Sequence, residues 1–278
     1  MFYLILAIVS SMMVSVCMRL SEAKAKNNIS LLAVNYAMCL VLSLAYAGSM
    51  DLLPAQQGLG FCAAWGLLSG GMYLASFLLL QWNIGKNGVT LPATFMKLGV
   101  LVPTVLSVIA FGEMPGALQV AGIALAVFAI LLINTGKGGQ KAASIAGLVA
   151  LLACGGTTDF TSKIYEEVGN AALSNHYLLY TFSAALVLCT VLALVKKQGL
   201  TLWDTAFGLL IGIPNYYSAR FLLASLGSVP AVIAYPTVNV GTIVMVTLSG
   251  MLLFKEKLSR RQWAAMGVIV LALVLLNV

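Results

Sequence analysis

The sequence predicts an all-α polytopic membrane protein whose ten transmembrane helices form two inverted five-helix repeats. First, 61% of its 278 residues are hydrophobic and 8% are charged, and the mean hydropathy is +1.02. A soluble domain needs more polar surface than this to cover its core. Second, ten apolar runs are long enough to cross a hydrocarbon layer ~30 Å thick. Third, the second half of the chain repeats the first at an offset of 143 residues.

The ten apolar runs take up nearly the whole chain, so we expect no soluble domain. The first run is interpreted as a helix of the mature protein and not as a signal peptide, because no basic residue precedes it and it recurs in the second half. The runs are residues 2–20, 30–48, 58–82, 89–111, 116–134, 145–163, 175–195, 203–226, 231–254 and 259–277.

Residues of matching type in the same order carry the repeat. Pairs at the offset of 143 are Glu113/Glu256, Gln119/Gln262, Thr94/Thr237, Thr104/Thr247, Asn134/Asn277 and Tyr73/Tyr216. We therefore predict a first repeat at 1–135, a connecting loop at 136–143 and a second repeat at 144–278. Since each repeat holds an odd number of spans, the two copies have opposite orientations in the membrane, which is typical of secondary transporters.

The net charge of +7 is distributed unevenly between the two sides of the predicted bundle. Twelve of the fifteen basic residues lie on one side, whereas both termini and the acidic residues Asp51, Glu113, Glu166 and Glu167 lie on the other. The positive-inside rule places the basic loops in the cytoplasm and both termini outside. The basic residues are explained by topology and by the lipid bilayer, so we expect no nucleic-acid partner.

Two hinge sequences, each before the last helix of a repeat, indicate a family. They are Phe111-Gly112-Glu113-Met114-Pro115-Gly116 and Phe254-Lys255-Glu256-Lys257-Leu258-Ser259, followed by Gln119 and Gln262. Over essentially the whole chain, the pattern resembles the EamA-like branch of the drug/metabolite transporter superfamily. The resemblance implies alternating access through a cavity lined by helices 1–4 and 6–9, in a bacterial plasma membrane. The chain departs from this pattern at Lys255, where the family usually has glycine. It also departs in orientation, because the termini of family members are generally drawn in the cytoplasm.

The first helix also resembles the small multidrug resistance proteins, through Arg19-Leu20-Ser21-Glu22 at its end. Those proteins exchange protons for cationic drugs through a glutamate midway along this helix. The matching positions here are Ser11 and, in the second repeat, Cys154. Neither residue can hold the charge that a cation needs.

Lys97 is the strongest candidate for a substrate-binding residue. It lies about eight residues, or ~12 Å, into the fourth run and so close to the middle of the membrane. Pro92 and Pro103 flank it, and each is expected to free a backbone carbonyl in its preceding turn. On this interpretation the Lys97 ammonium binds an anionic group of the substrate, a carboxylate or a phosphate. Alternatively, it pairs with Asp159 or extends to the basic side of the membrane.

Asp159 and Arg220 are candidates for coupling or gating. Asp159 precedes Lys163 by four residues, which predicts an ion pair on one helical face. A carboxylate at membrane depth is also suited to proton coupling. Arg220 is a candidate partner of Asp159 across helices, or a rim residue that reaches the headgroups. Lys163, Arg220 and Lys97 all stay open as partners of Asp159.

Five uncharged polar residues complete the predicted substrate site. Their hydrogen-bonding groups and aromatic faces suit a selective polar cavity, although tyrosines also mark membrane interfaces and asparagines also bridge helices. The five are Tyr73, Asn215, Tyr216, Tyr235 and Asn239. Glu113 and Glu256 are interpreted as hinge or cap groups, and His176 as a surface residue.

These features predict a secondary active transporter of a small polar metabolite, an organic anion or zwitterion such as an amino acid. The alternatives are an exporter of cationic or neutral amphiphiles and a membrane scaffold. An intramembrane enzyme is disfavoured because the chain has no HExxH or GxSxG motif and one histidine. No cofactor is predicted, and coupling to protons or another ion stays open. Glycine pairs at 66/70 and 208/212 permit close helix contact or sliding of one bundle on another. Whether the protein forms a homodimer stays open.

Overall fold

The computed structural model describes residues 1–22, 24–47, 52–87, 90–134, 143–255 and 260–277. These residues form eleven α-helices and one short 3₁₀-helix, and none of them lies in a strand. The predicted connecting loop at 136–143, apart from residue 143, lies outside the described residues, and so do Asp51, Glu256 and Lys257.

The helices follow the apolar runs with one exception. The fourth run, which we predicted as a single helix, is divided into two helices, α4 and α5. The helices are α1 (Phe2–Ser21), α2 (Asn28–Ala47), α3 (Leu59–Asn87), α4 (Thr90–Leu98), α5 (Leu101–Phe111), α6 (Ala117–Asn134), α7 (Ile145–Val168), α8 (Ser174–Val195), α9 (Leu202–Leu226), α10 (Ala231–Phe254) and α11 (Arg260–Leu276), with the 3₁₀-helix Ala171–Leu173 before α8.

Seven helical segments among the described residues are long and apolar enough to cross a membrane. The protein is therefore an α-helical integral membrane protein with several spans, as predicted. Two further apolar segments, Ala117–Leu132 and Trp263–Leu276, are shorter. The helix α9 has 25 residues but is not among the seven. It carries Asp204, Asn215 and Arg220, so polar side chains interrupt its apolar sequence.

The chain divides into two compact units, and each takes helices from both sequence repeats. The compact units therefore do not coincide with the repeats predicted at 1–135 and 144–278. One, called here the Lys97 unit, contains residues 75–163 and 228–278 together with Met1. The other, the Arg220 unit, contains residues 2–74 and 164–227.

Small residues bring the helices of the Lys97 unit close together. A Cβ atom on Gly122 of α6 would lie 3.0 Å from the backbone nitrogen of Leu276 in α11. The buried residues of this contact are mainly alanine and β-branched, namely Ala126, Ala129, Val240, Ile269 and Ala272. Such packing is expected inside a membrane, where side chains gain little by leaving lipid and close contact of backbones contributes more.

Glycines also set the packing of the Arg220 unit. A Cβ atom on Gly208 or Gly212 of α9 would lie 2.6 or 2.5 Å from the Cβ atoms of Val34 or Met38 in α2. Gly66 and Gly70 of α3 contact α8 in the same way, at Tyr180 and Thr181. Both predicted glycine pairs therefore serve close packing between helices of this unit.

The two hinge sequences end their helices with the same backbone conformation. Gly112 after α5 has φ 69° and ψ 20°, and Lys255 after α10 has φ 53° and ψ 34°. Both are left-handed, a conformation in which a Cβ atom approaches the following carbonyl oxygen. Lys255 therefore occupies a position that suits glycine, which is the residue the family resemblance leads one to expect there.

Replacing Lys255 with glycine should raise the free energy of unfolding by about 1 kcal/mol, because glycine has no Cβ clash in the left-handed region. Thermal unfolding of the purified protein in detergent measures the change. Lys255→Ala is the matched control, since it removes the charge but keeps the Cβ atom. Equal melting temperatures for the glycine and alanine variants would show that Lys255 is not strained.

Candidate functional site

The eight predicted site residues divide equally between the two units. Lys97, Asp159, Tyr235 and Asn239 lie in the Lys97 unit, and Tyr73, Asn215, Tyr216 and Arg220 lie in the Arg220 unit. Among the described residues, no group of three or more His, Cys, Asp or Glu side chains could hold a metal ion.

The helix break comprises Gly99 and Val100, which follow Lys97 by two and three residues. Pro103 has no N–H group to donate to the Gly99 carbonyl, and the N–H of Val102 donates to that carbonyl at 3.0 Å. The N–H of Val100 donates to the Lys97 carbonyl at 3.4 Å, again over three residues. The Gly99 carbonyl therefore loses the usual donor at position 103, but it is not left free as we predicted, because the Val102 N–H donates to it. Pro92 is different, because it lies in the first turn of α4, where an N–H has no helical partner.

The break packs against α7 through two glycines. A Cβ atom on Gly156 would clash with the Gly99 carbonyl oxygen and with the Cβ atom of Val102. Only a residue without a side chain permits this approach. Asp159 follows Gly156 by three residues, so it lies on the same face of α7 as the contact.

Lys97 and Asp159 form a pair of opposite charges at this contact. Each charge acts on the other, and both side chains are half-buried. Of the partners that the sequence left open for Asp159, Lys97 is therefore the one whose charge acts on it. Lys163, which local spacing assigned to Asp159, has its ammonium 2.9 Å from a carboxylate oxygen of Glu113.

Tyr235 and Asn239 hold α10 in position. The Tyr235 hydroxyl donates to the backbone carbonyl of Asp159 at 2.6 Å, and its side chain is 1% exposed. The Asn239 amide donates to the Tyr235 carbonyl in its own helix at 3.2 Å. Tyr235 therefore fixes α10 against α7 next to the charged pair, and Asn239 supports it.

Glu113 has the helix-terminal role that we predicted for it, but at another helix. Its second carboxylate oxygen accepts a hydrogen bond from the N–H of Val232, at 3.3 Å, in the first turn of α10. A carboxylate at this end compensates the exposed N–H groups and the positive end of the helix dipole. Gln119 acts similarly in α6, because its side-chain oxygen accepts a hydrogen bond from the N–H of Gly116 at 2.9 Å.

Arg220 is fixed by three neighbours. Its Nη1 donates to the Asn175 side-chain oxygen and to the Tyr216 hydroxyl, both at 3.0 Å. The guanidinium carbon lies 4.0 Å from the centroid of the Tyr46 ring, a cation–π distance. These contacts hold Arg220 within the protein, in contrast to the alternative of a rim arginine that reaches the headgroups.

The other candidates of the Arg220 unit differ in exposure. The Asn215 amide donates to the Asn35 side-chain oxygen at 3.2 Å, which connects α9 with α2 as a helix-bridging asparagine does. Tyr216 is fully buried, and Tyr73 is half-buried on α3. His176 is only 6% exposed, so its interpretation as a surface residue was wrong. The side chain lies beside Tyr180 in the first turn of α8.

The sequence did not predict a cavity of about 340 Å³ in the Arg220 unit. Arg220 is the one predicted site residue in its lining. A signal for it was present in the polar residues Ser174 and Asn175 at the start of an apolar run. The lining consists of Tyr165, Glu166, Ala171, Ser174, Asn175, Leu178, Arg220, Leu223, Ala224 and Gly227.

Comparisons with known proteins show the fold and name no function. No family model matches the chain. An uncharacterized protein of Haemophilus influenzae is 24% identical over 274 residues, which cover 94% of this chain and 92% of that protein. One protein of known crystal structure is similar with a TM-score of 0.76 and 14% sequence identity, over 99% of this chain and 94% of the other. At this identity, the similarity extends to the fold alone.

Gly156→Ala should lower the melting temperature strongly, because its Cβ would meet the Gly99 carbonyl and the Val102 side chain. Overpacking of this kind costs ~1–3 kcal/mol. Gly155→Ala is the matched control, since a Cβ on Gly155 meets no atom within 4 Å. Thermal unfolding in detergent compares the two variants. Equal stability would contradict the close contact between the helix break and α7.

Proposed function

We propose that the protein is a secondary active transporter of a small organic anion or zwitterion, of the EamA-like type. The observation that carries the proposal is the helix break beside the Lys97–Asp159 pair. Secondary transporters use discontinuous helices in the membrane to bind charged substrates. At such a break, a charged group of the substrate can replace Asp159 as the partner of Lys97, or Lys97 as the partner of Asp159.

The pair suggests how binding is coupled to transport. When a substrate carboxylate binds Lys97, Asp159 loses its partner and has to be compensated in another way. For a simple anion, a proton taken up by Asp159 removes the uncompensated charge. For a zwitterion, the substrate's own ammonium can pair with Asp159, and no proton is needed. We therefore expect proton-coupled transport of anions and proton-independent transport of zwitterions.

Reciprocal contacts support two repeats related by a two-fold axis. Ser11 of α1 lies 2.6 Å from the Ser218 hydroxyl oxygen of α9, and Ser76 of α3 donates to the Cys154 sulfur of α7 at 3.4 Å. Since α1 corresponds to α7 and α3 to α9, each contact is the counterpart of the other. The glycine contacts of α3 with α8 and of α9 with α2 are related in the same way.

Helix limits support the same correspondence. An interval of 143 residues separates Phe2 from Ile145, Leu59 from Leu202, Phe111 from Phe254 and Ala117 from Arg260. Within α3 and α9, however, the equivalent contacts are 142 residues apart, as for Ser76 and Ser218. This register makes Asn215 the counterpart of Tyr73, in place of Tyr216. With the charge asymmetry, we propose an inverted repeat with cytoplasmic basic loops and both termini outside.

The multidrug alternative lacks the residues it needs at the expected positions. Ser11 and Cys154, which stand where an acidic residue would bind cationic drugs, are in hydrogen-bonding contact with Ser218 and Ser76. Neither contact provides a negative charge. These positions therefore favour an anionic or zwitterionic substrate over a cationic one.

Purified protein should be stabilised by pooled anionic or zwitterionic metabolites and not by cationic ones. A ligand that binds only the folded state at ~100 times its Kd adds ~2.7 kcal/mol, which thermal unfolding detects readily. The double variant Lys97→Met/Asp159→Asn should lose the response to anionic metabolites while remaining folded, because removing both charges leaves neither uncompensated. Lys86→Met, which removes an exposed lysine, is the control and should respond like the parent.

Uptake of the identified ligand into proteoliposomes then tests transport. We expect uptake by the parent and none by the double variant, with an inward proton gradient accelerating uptake of anions. Stabilisation of the parent and the double variant by cations alone would contradict the proposal.

A further inference from the structure

We propose that the 340 Å³ cavity of the Arg220 unit binds a small zwitterion, with Arg220 contacting its acidic group and Glu166 its ammonium. Its lining contains no residue of the Lys97 unit, and binding at this cavity does not require that the protein transports the ligand. The volume lies within the range of roughly 300–1,000 Å³ that is common for small-molecule sites.

Arg220 is prepared to bind an anion in this cavity. Its Nη1 makes both hydrogen bonds to Asn175 and Tyr216, and the Tyr46 ring supports the guanidinium plane. A guanidinium has five N–H donors in a fixed fork. Its Nη2 and Nε groups are therefore suited to a carboxylate or phosphate, and little side-chain freedom is lost on binding because the group is already fixed.

Glu166 provides the opposite charge in the same cavity. Its side chain is half-buried in the last turns of α7, and one carboxylate oxygen is near Gly227, 3.4 Å from where a Cβ would be. The last carbonyl groups of α9, which ends next to Gly227, add partial negative charge at this side of the cavity. The beginning of α8, with Ser174 and Asn175, adds partial positive charge near Arg220.

These charges select a ligand that carries both signs. A simple anion bound to Arg220 would face the carboxylate of Glu166, and a simple cation would face Arg220; like charges in a cavity are unfavourable. Leu178, Leu223 and Ala224 also line the cavity and give it apolar surface. The chemistry therefore suits a primary ammonium and an acidic group a few bonds apart, with an apolar substituent.

Two sources offer this chemistry, namely a free amino acid and the headgroup of phosphatidylethanolamine. L-leucine represents the first and glycerophosphoethanolamine the second. Isocaproate is leucine without its ammonium, and isoamylamine is leucine without its carboxylate. Isothermal titration of the purified protein in detergent compares all four probes, and the probe that binds more tightly identifies the source.

We expect L-leucine or glycerophosphoethanolamine to bind the parent, and both single-charge analogues of leucine to bind at least about tenfold more weakly than leucine, the loss of one charged contact. Glu166→Gln should lower the affinity for the zwitterion by about tenfold or more, but it should leave the affinity for isocaproate unchanged or raise it. Glu167→Gln is the matched control, because its carboxylate is exposed and outside the cavity lining. The Lys97→Met/Asp159→Asn variant should retain binding, which separates this site from Lys97.

Three results would overturn the proposal. The first is that neither zwitterion binds. The second is that Glu166→Gln and Glu167→Gln have equal affinities, or that either analogue binds as tightly as its parent zwitterion. The third is that binding is lost in the Lys97→Met/Asp159→Asn variant and kept in Glu166→Gln, which would assign the ligand to the Lys97 unit.

Discussion

An ammonium group among apolar helices has to be compensated, because its insertion into a membrane costs ~2.5–3.5 kcal/mol even on the most favourable scales. Lys97 has Asp159 as its counter-charge, and the Gly99–Gly156 contact brings the two side chains within range. The contact in turn depends on the break in the fourth span, since it is the turn between α4 and α5 that lies against α7. The charge pair, the two glycines and the helix break therefore depend on one another. A larger residue at either glycine, or a continuous helix in the fourth span, would disrupt the arrangement.

The charged residues around this contact belong mainly to helix ends. Glu113 joins the turn after α5 to the buried Lys163 ammonium in α7 and to the first turn of α10. Removal of either charge would take this ion pair from a largely buried partner, which is costly even where the pair itself contributes little. Helix capping and charge compensation are therefore a structural role for the hinge glutamate Glu113. In the Arg220 unit, Asp204 plays a comparable part, because its carboxylate accepts hydrogen bonds from the N–H groups of Lys26 and Asn27 in the loop before α2.

Composition and hydropathy predicted a helical membrane protein with several spans, because a span requires a sustained apolar run and little else. They did not predict the division of the fourth span, since hydropathy counts apolar residues and not backbone hydrogen bonds; only Pro103 indicated it. Local spacing assigned Lys163 to Asp159, but its ion pair is with Glu113, from a distant part of the chain. The neighbours of Arg220 were missed for the same reason, because Tyr46 and Asn175 come from other helices. His176 was placed at the surface because it begins a helix, whereas packing buries its side chain.

The central claim, that two repeats of opposite orientation form this protein, is tested most directly by the location of equivalent loops. Lys26 before α2 and Ala172 before α8 are exposed, and the native cysteines are buried or half-buried. Single Lys26→Cys and Ala172→Cys variants can therefore be labelled with a membrane-impermeant maleimide in vesicles of either orientation, with the parent as background. The account predicts labelling of Lys26→Cys from the cytoplasmic side only and of Ala172→Cys from the outside only. Labelling of both variants from the same side would contradict it.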